Sequence, residues 1–412
     1  MLTTLRWVFP VIMLAGFAGP VSADVITDWN AKAEAIQIEK RLSPPPNARA
    51  MAILHVAMFE AVNAIERRYA PYKLNLPAER GLSKEAAAAS AAHAVLVALY
   101  PDQQAGLDSM LKASLAEIPE GEAKAKGIEL GKRAAAEILA LRANDGADAM
   151  ESYRPHTTAG VYVPTVVPVS STVGKVTPWV MTSGSQFRPA LPPALDSATW
   201  TNDVNEIREL GARNSTKRTA EQTIIGRFWF VTGPQAWNPI VRQLVVAKKL
   251  DLVDSARLFA LVAMAGHDAF IAVFDAKYAF NLWRPVTAIR NADLSGNKAT
   301  PRDPSWLPLG DTPMHPEYPC AHCITSAAVA AVIEAALGSA DIPEVTMTSP
   351  TAPGATRRWT NFWAYADEVA MARIYAGFHY RFSNGAAQDM GRRIGQLVAQ
   401  NLLQRTKLTD TR

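Results

Sequence analysis

The chain has 412 residues, 49% of them hydrophobic and 19% charged, with a formal net charge of +4. This composition belongs to a globular protein with room for two cores of ordinary size, and it excludes a disordered chain. The basic excess is small and no run of five like charges occurs, so nucleic acid is not an expected partner.

Residues 1–23 read as an address. "MLTTLR" carries one positive charge, "WVFPVIMLAGFAGPV" is apolar, and "VSA" before Asp24 has the small residues of a cleavage site. The short length, Pro10 and Pro20 weigh against an anchoring helix. Cleavage would remove Arg6, leaving 41 of the 42 basic residues against 38 acidic ones. The mature chain is therefore expected outside the cytoplasm, periplasmic or secreted. The most apolar later stretch, "LFALVAMAGHDAFIAVF" at 258–274, has His267 and Asp268 in its middle. That pattern suits a buried central helix better than a span in lipid, so no membrane span is expected in the mature chain.

Residues 24–150 form the first predicted unit, a helical bundle. Met51, Leu54, Met58, Val62 and Ile65 recur at spacings of three and four. "SKEAAAASAAHAVLVALYP" begins at a Ser cap and stops before Pro101. "GEAKAKGIELGKRAAAEILALRAND" alternates charged and apolar faces. Residues 151–199, rich in Pro, Thr, Val and Ser, read as a long irregular connector with a short strand or two. A loop of that length in a compact protein usually covers something or has a function.

Residues 200–412 form the second unit. Helix is predicted over 200–285 with a break near Gly233-Pro234, followed by a Pro- and Gly-rich loop over 286–322. Helix resumes in "ITSAAVAAVIEAALG", breaks over 338–354, and returns at 357–382 and 386–404. Strands do not alternate with helices, which excludes a dinucleotide-binding sheet. The expected fold class is all-α: two packed helical bundles joined by the connector.

The chemistry concentrates in "HPEYPCAHC" at 315–323, which holds two of the seven histidines and both cysteines. Cys320 and Cys323 have C-x-x-C spacing, but a structural zinc site needs four ligands and no second knuckle exists. A redox pair lacks its usual strand-helix-strand setting, and a disulfide remains open. The third reading is one wall of an anion site. His322 stands at the start of an apolar helix, where backbone N–H groups attract anions.

Two other stretches carry cations to match. In "KYAFNLWRP", Lys277 and Arg284 are seven apart, two helical turns, which places them on one face with Pro285 ending the helix. In "ARIYAGFHYRF", Arg373 lies six before His379, and Gly377 between them permits a close approach to the backbone. Taken singly, each has a bland reading as a solvated or packed residue.

The three stretches together resemble the signature of the vanadium-dependent haloperoxidases and their relatives, the type 2 phosphatidic acid phosphatases. That signature runs K-x6-R-P, then P-S-G-H, then S-R-x5-H. Here it reads Lys277 with Arg284-Pro285, then Pro319-Cys320-Ala321-His322, then Ala372-Arg373 with His379, in the same order and spacing. "HVAMFEAVNAI" in the first bundle is also similar to the soluble haloperoxidase branch.

The resemblance implies a role for each residue. Lys277, Arg284 and Arg373 would neutralise the oxygens of a tetrahedral anion, vanadate or phosphate, with Cys320 and the Ala321 N–H in the same shell. His379 would be the axial group, a vanadium ligand in one chemistry and a phosphohistidine nucleophile in the other. His322 would handle protons.

Three positions depart from the pattern. Cys320 replaces Ser, and a thiol donates poorly. Ala321 replaces Gly. Ser383 stands where the phosphatases often have an Asp that orients the nucleophile. His315, seven before His322, resembles the bromoperoxidase arrangement and is a candidate for halide binding or proton relay; the alternative is a loop His bonded to a backbone carbonyl. His55 and His93 read as packing groups and His156 as a connector residue. His267-Asp268 reads as a buried polar pair supporting the pocket.

The implied function is a vanadium haloperoxidase oxidising halide, bromide on the strength of His315, with hydrogen peroxide. The alternatives are an exported acid phosphatase acting on phosphoesters, and an oxyanion-binding protein without turnover.

Overall fold

The computed structural model describes residues 24–406. The predicted leader at 1–23 lies outside them. Among the described residues, thirteen α-helices and one two-stranded hairpin are found.

The first group of helices is α1 (Val25–Glu39), α2 (Pro44–Glu66), α3 (Lys84–Leu99), α4 (Gln104–Ala116) and α5 (Glu122–Arg142). Ser83 caps α3 by accepting from Ala86 N, as the sequence predicts. The second group is α6 (Ala198–Leu210), α7 (Ala220–Phe228), α8 (Asn238–Ala247), α9 (Leu252–Phe280), α10 (Pro285–Arg290), α11 (Ala321–Leu337), α12 (Phe362–Tyr375) and α13 (Arg381–Asn401).

Helix α9 is the shared wall. It packs on α2 from the first group and on α11 and α13 from the second. One hydrophobic core therefore runs through both groups. Both α2 and α9 are long and apolar enough to cross a membrane, but 89% and 94% of their most apolar windows are buried by other helices. That enclosure is how a protein core absorbs helices that are apolar all round. Helices α11 and α13 approach closely because Gly391 and Gly395 leave room. A Cβ at either would lie 2.2 or 2.4 Å from the carbonyl oxygens of Ile324 and Ala328.

Four expectations are corrected. The helix break expected over 338–354 is present but runs on to 361 and holds a hairpin, β1 (Asp341–Thr348) paired antiparallel with β2 (Thr356–Asn361). Ile342, Val345 and Met347 of β1 and Trp359 of β2 turn inward, a period that Pro343 within β1 interrupts. The helix expected over 357–382 is only α12, and His379 lies in the loop after it.

The connector holds no strand, only a short 3₁₀ turn at Val173–Lys175 and one bridge from Val161 to Leu282. Its prolines cannot donate to a ladder. Finally, His267-Asp268 anchors the connector and not the pocket. Asp268 accepts the N–H groups of Trp179, Val180 and Met181 at 2.8, 3.0 and 3.3 Å, and His267 Nδ1 accepts from Trp179 Nε1 at 2.9 Å. Burial raises Asp268 to about 6 and lowers His267 to about 3.

Candidate functional site

Lys277 and Arg284 converge, though not by helical periodicity. Helix α9 ends at Phe280, and Asn281 caps it in the left-handed conformation at φ 52°. Arg284 is then the N-cap of α10, with Pro285 at its first position. The turn carries the guanidinium back toward the helix that holds Lys277. Both side chains are buried, Lys277 at 0% and Arg284 at 1% exposure.

The 315–323 stretch supplies the opposite side. Cys320 is the N-cap of α11, so Ala321 and His322 are its first two residues. Arg373 comes from the last turn of α12. Gly377, at φ 79°, turns the chain so that His379 faces the same point; the backbone that approaches it is Gly211, whose carbonyl oxygen would lie 2.6 Å from a Cβ there.

A cavity of ≈ 710 Å³ opens at this convergence, and His315, Ala321, His322, Arg373 and His379 line it. Lys277 and Arg284 lie behind that wall. Lys277 Nζ donates to the carbonyls of Pro316 and Glu317 at 3.0 and 2.7 Å, leaving one of its three N–H groups. Arg284 donates to His315 O, Phe378 O, His379 Nε2 and His315 Nδ1, leaving one of five. Arg373 is bonded only from Nη1, to Trp229 O at 2.6 Å, among the described residues. Arg373 thus has the most donor capacity left for a ligand. Burial, then the neighbouring Arg284, lowers it to about 9; burial takes Arg284 to about 10.

Cys320 is a correction. It is joined to Cys323 in a disulfide, with Cα atoms 5.4 Å apart. A bonded sulfur has no proton to donate, and Cys320 does not reach the cavity wall. Its sulfur instead accepts Cys323 N at 3.3 Å, capping α11. The stretch therefore holds a disulfide and, at Ala321 and His322, part of the cavity wall.

Glu317 is the residue that motif reasoning missed. It is fully buried, and its Oε1 accepts from His379 Nδ1 at 2.8 Å and from Tyr380 N at 3.1 Å. A carboxylate on Nδ1 holds that proton there and makes Nε2 the acceptor nitrogen. Nε2 lies 3.2 Å from Arg284 Nη1, which can only donate, so the tautomer is fixed from both sides. The carboxylate absent at Ser383 is thus supplied from 62 residues earlier in the chain. The one sequence signal was an acid between two prolines inside the histidine-rich stretch. Burial pushes Glu317 up to about 7, against the pull of Lys277, Arg284 and the Tyr380 N–H.

His315 accepts from Arg284 Nη2 at Nδ1, 3.0 Å, since a guanidinium cannot accept. In the other tautomer Nδ1 donates to the Pro316 carbonyl at 3.1 Å, the backbone bond expected of a loop His, and Nε2 accepts from the same Nη2 at 3.4 Å. Its ring meets Phe274 edge-on at 5.2 Å. His322, His379 and His315 are all held well below the ordinary histidine value, first by burial and then by the surrounding cations. Three neutral imidazoles face a cluster of three cations and one carboxylate.

Several polar atoms here are buried without a partner: His322 Nε2, Arg373 Nε, Glu317 Oε2 and Ser383 Oγ. Arg373 Nε is the orphaned donor among them that points to an oxyanion, since it sits amid excess positive charge.

Comparison with known proteins agrees with this geometry. Residues 257–407 match the family model of the VCPO second helical-bundle domain. The chain is 27% identical over 469 aligned positions to the vanadium chloroperoxidase of Curvularia inaequalis, covering 84% of this chain and 76% of that protein. A bacterial vanadium-dependent iodoperoxidase superposes with a TM-score of 0.80 at 25% identity, covering 94% of this chain and 100% of the other. An apo bacterial vanadium-dependent chloroperoxidase shares the fold at a TM-score of 0.70 and 15% identity, over 87% and 94% of the two chains.

Proposed function

This chain is built on the fold of the vanadium haloperoxidases and carries their second helical bundle, and from that premise we propose that it oxidises halide with hydrogen peroxide using vanadate as its cofactor. The observation that carries the reading is the His379 tautomer. Glu317 presents a lone pair at Nε2 toward a cavity bordered by Arg373, with Arg284 and Lys277 behind it.

Vanadate, when bound, supplies the Lewis-acidic centre at which peroxide becomes an oxidant toward halide. The protein's part is positional and electrostatic. Arg373, Arg284 and Lys277 offset the anion's charge in a buried setting where that offset counts most. His379 Nε2 would be the protein atom that ligates it. His322, neutral with an unpartnered Nε2 on the cavity wall, is placed to accept a proton from incoming peroxide. Bromide is the halide we expect, on the position of His315 against Phe274 and Arg284.

One observation favours a second reading. A carboxylate hydrogen-bonded to the far nitrogen of a histidine is also the arrangement that activates an imidazole as a nucleophile. Phosphoester hydrolysis through a phosphohistidine at His379 is therefore the alternative. Two assays on one preparation separate them: bromination with peroxide after vanadate addition, with chloride and iodide in parallel, and phosphoester hydrolysis without vanadate. Hydrolysis without any vanadate-dependent halogenation would overturn the first reading.

We also propose that the mature protein works outside the cytoplasm, beginning at Asp24. The Cys320–Cys323 disulfide is at home in an oxidising compartment. N-terminal sequencing of the exported protein tests this; a retained Met1 would refute it.

A further inference from the structure

Arg284 is a partition between two cavities. On one side it meets His379 Nε2 and His315, behind the wall of the oxyanion cavity. On the other it borders a second cavity of ≈ 570 Å³, enclosed by the connector, by α10 and by the loop at Thr312–Met314. Arg373, His322 and His379 do not line this second space, so it lies apart from the reacting groups. Its size is that of a small-molecule site. We infer that the second cavity binds a free aliphatic carboxylate of medium chain length, and that this ligand and the oxyanion weaken one another through Arg284. The coupling rests on the oxyanion floor, which the peroxidase and phosphatase readings share; the carboxylate site depends on neither.

The sequence builds the cavity by strapping the connector to the turn between α9 and α10. Tyr162 N donates to Asn281 O at 2.8 Å, and Trp283 N to Gly160 O at 2.9 Å. A long ordered loop that covers a space in this way has a reason for its length. Tyr162 is thereby held on the cavity lining with Arg284, at 4% exposure, and its hydroxyl has no hydrogen-bond partner among the described residues. Burial raises Tyr162, and the nearby Arg284 guanidinium pulls against that rise.

The polar lining is cationic and holds no acid. Arg290, in the last turn of α10, gives its Nε to Trp306 O at 2.8 Å and keeps both terminal nitrogens without a partner among the described residues. Arg284 has its one remaining N–H. No Asp or Glu lines the space. Two guanidiniums and a phenol that offer donors, with no acid to receive them, call for an external carboxylate, whose paired oxygens match a guanidinium. A carboxylate there competes with the oxyanion for the last N–H of Arg284, and the two anions repel across it in a setting poor in water.

The apolar lining selects the body of the ligand. Val163, Val166, Val286, Leu294, Pro313 and Met314 make it up, and Val166, Leu294 and Met314 are exposed at the rim. Exposed apolar side chains gathered at the mouth of a cavity mark a ligand groove. They are aliphatic, and Trp283 already stacks on Trp200, so an alkyl chain fits this lining better than a stacked ring. The head would point inward to the arginines and the chain outward to the rim.

The probe is octanoate, titrated calorimetrically into the full mature protein without vanadate. Saturable one-to-one binding is expected. It should be at least about tenfold weaker for acetate, which lacks the chain, and for octylammonium, which has the opposite charge. Arg290→Gln should weaken octanoate about tenfold. Leu294→Glu should also weaken it, by setting an acid at an exposed rim position, and thermal unfolding of each variant controls for folding. Phosphate affinity measured without octanoate should be the same in both variants as in the wild type. Rising phosphate should lower octanoate affinity to a plateau about tenfold below its starting value, the scale of coupling between two sites that share a group. A fall without a plateau would place octanoate in the oxyanion cavity and overturn the proposal. No saturable binding, or equal affinity in the wild type and both variants, would overturn it too, and a phosphate titration without effect would overturn the coupling. Octanoate binding weakened by both variants, in a protein that takes up no phosphate, would overturn the oxyanion floor and leave the carboxylate site standing.

Discussion

Replacing Glu317 by Gln separates the two effects that this carboxylate has on the site. The side chain is fully buried, and its Oε1 accepts both His379 Nδ1 and Tyr380 N. Glutamine can keep its oxygen in that place, with its amide nitrogen at the Oε2 position facing the Ser383 hydroxyl. The substitution therefore removes charge while keeping shape. Loss of the charge lets Lys277, Arg284 and Arg373 attract any anion more strongly. It also makes His379 Nε2 less basic, which weakens an axial bond.

The first effect acts alike on phosphate and vanadate, and the second acts only on the anion that takes an axial ligand. Their affinity ratio isolates the second. A charge-assisted hydrogen bond contributes about 1.5–3 kcal/mol, and loss of such a partner behind a metal-bound histidine costs roughly 10- to 100-fold. The ratio of vanadate to phosphate affinity should therefore fall about 10- to 100-fold, measured by calorimetry on one preparation. In the wild type the ratio should climb as Glu317 ionises near its pKa of about 7; in the variant that climb should be absent. An unchanged ratio would refute the claim that Glu317 sets the basicity of His379.

Four further outcomes follow from the same structure. His379→Ala should abolish both halogenation and phosphoester hydrolysis in a protein that still melts cooperatively; near-wild-type activity of either kind would remove His379 from the site. Phosphate should slow vanadate reconstitution competitively, since both face Arg373, and independent binding of the two would contradict a shared pocket. Cys320→Ser and Cys323→Ser should lower stability equally, by about 2 kcal/mol for so short a loop, with a reductant reproducing the loss in the wild type; unequal losses would assign a thiol-specific role. Stability should fall as pH drops from 7 toward 5. His55, His267, His315, His322 and His379 stay neutral when folded but charge near 6.5 when unfolded, so the unfolded state binds more protons there. Each contributes up to about 1.4 kcal/mol per pH unit. Glu317 and Asp268, and with them Asp28, Glu34, Glu60 and Asp203, are raised by burial and offset part of this. A melting temperature that is flat or rises on acidification would show that these histidines are charged in the folded protein.

The sequence alone carried the helical class, because amphipathic and Ala-rich segments announce themselves through local spacing and caps, as at Ser83. It also carried the order Lys277, Arg284, His322, Arg373 and His379, because side-chain types at set separations survive in the one-dimensional record. Features made by distant backbone were not legible. Whether Cys320 met the anion or Cys323 depended on how α11 begins. Whether Arg284 ended α9 or opened α10 depended on Asn281 entering the left-handed region. Whether His379 had an orienting carboxylate could not be read at Ser383, since Glu317 reaches it across 62 residues. Spacing reports which groups a segment offers. Partners, burial and the resulting pKa values belong to contacts between segments, and only the packing of α9, α11 and the loop after α12 around one cavity decides them.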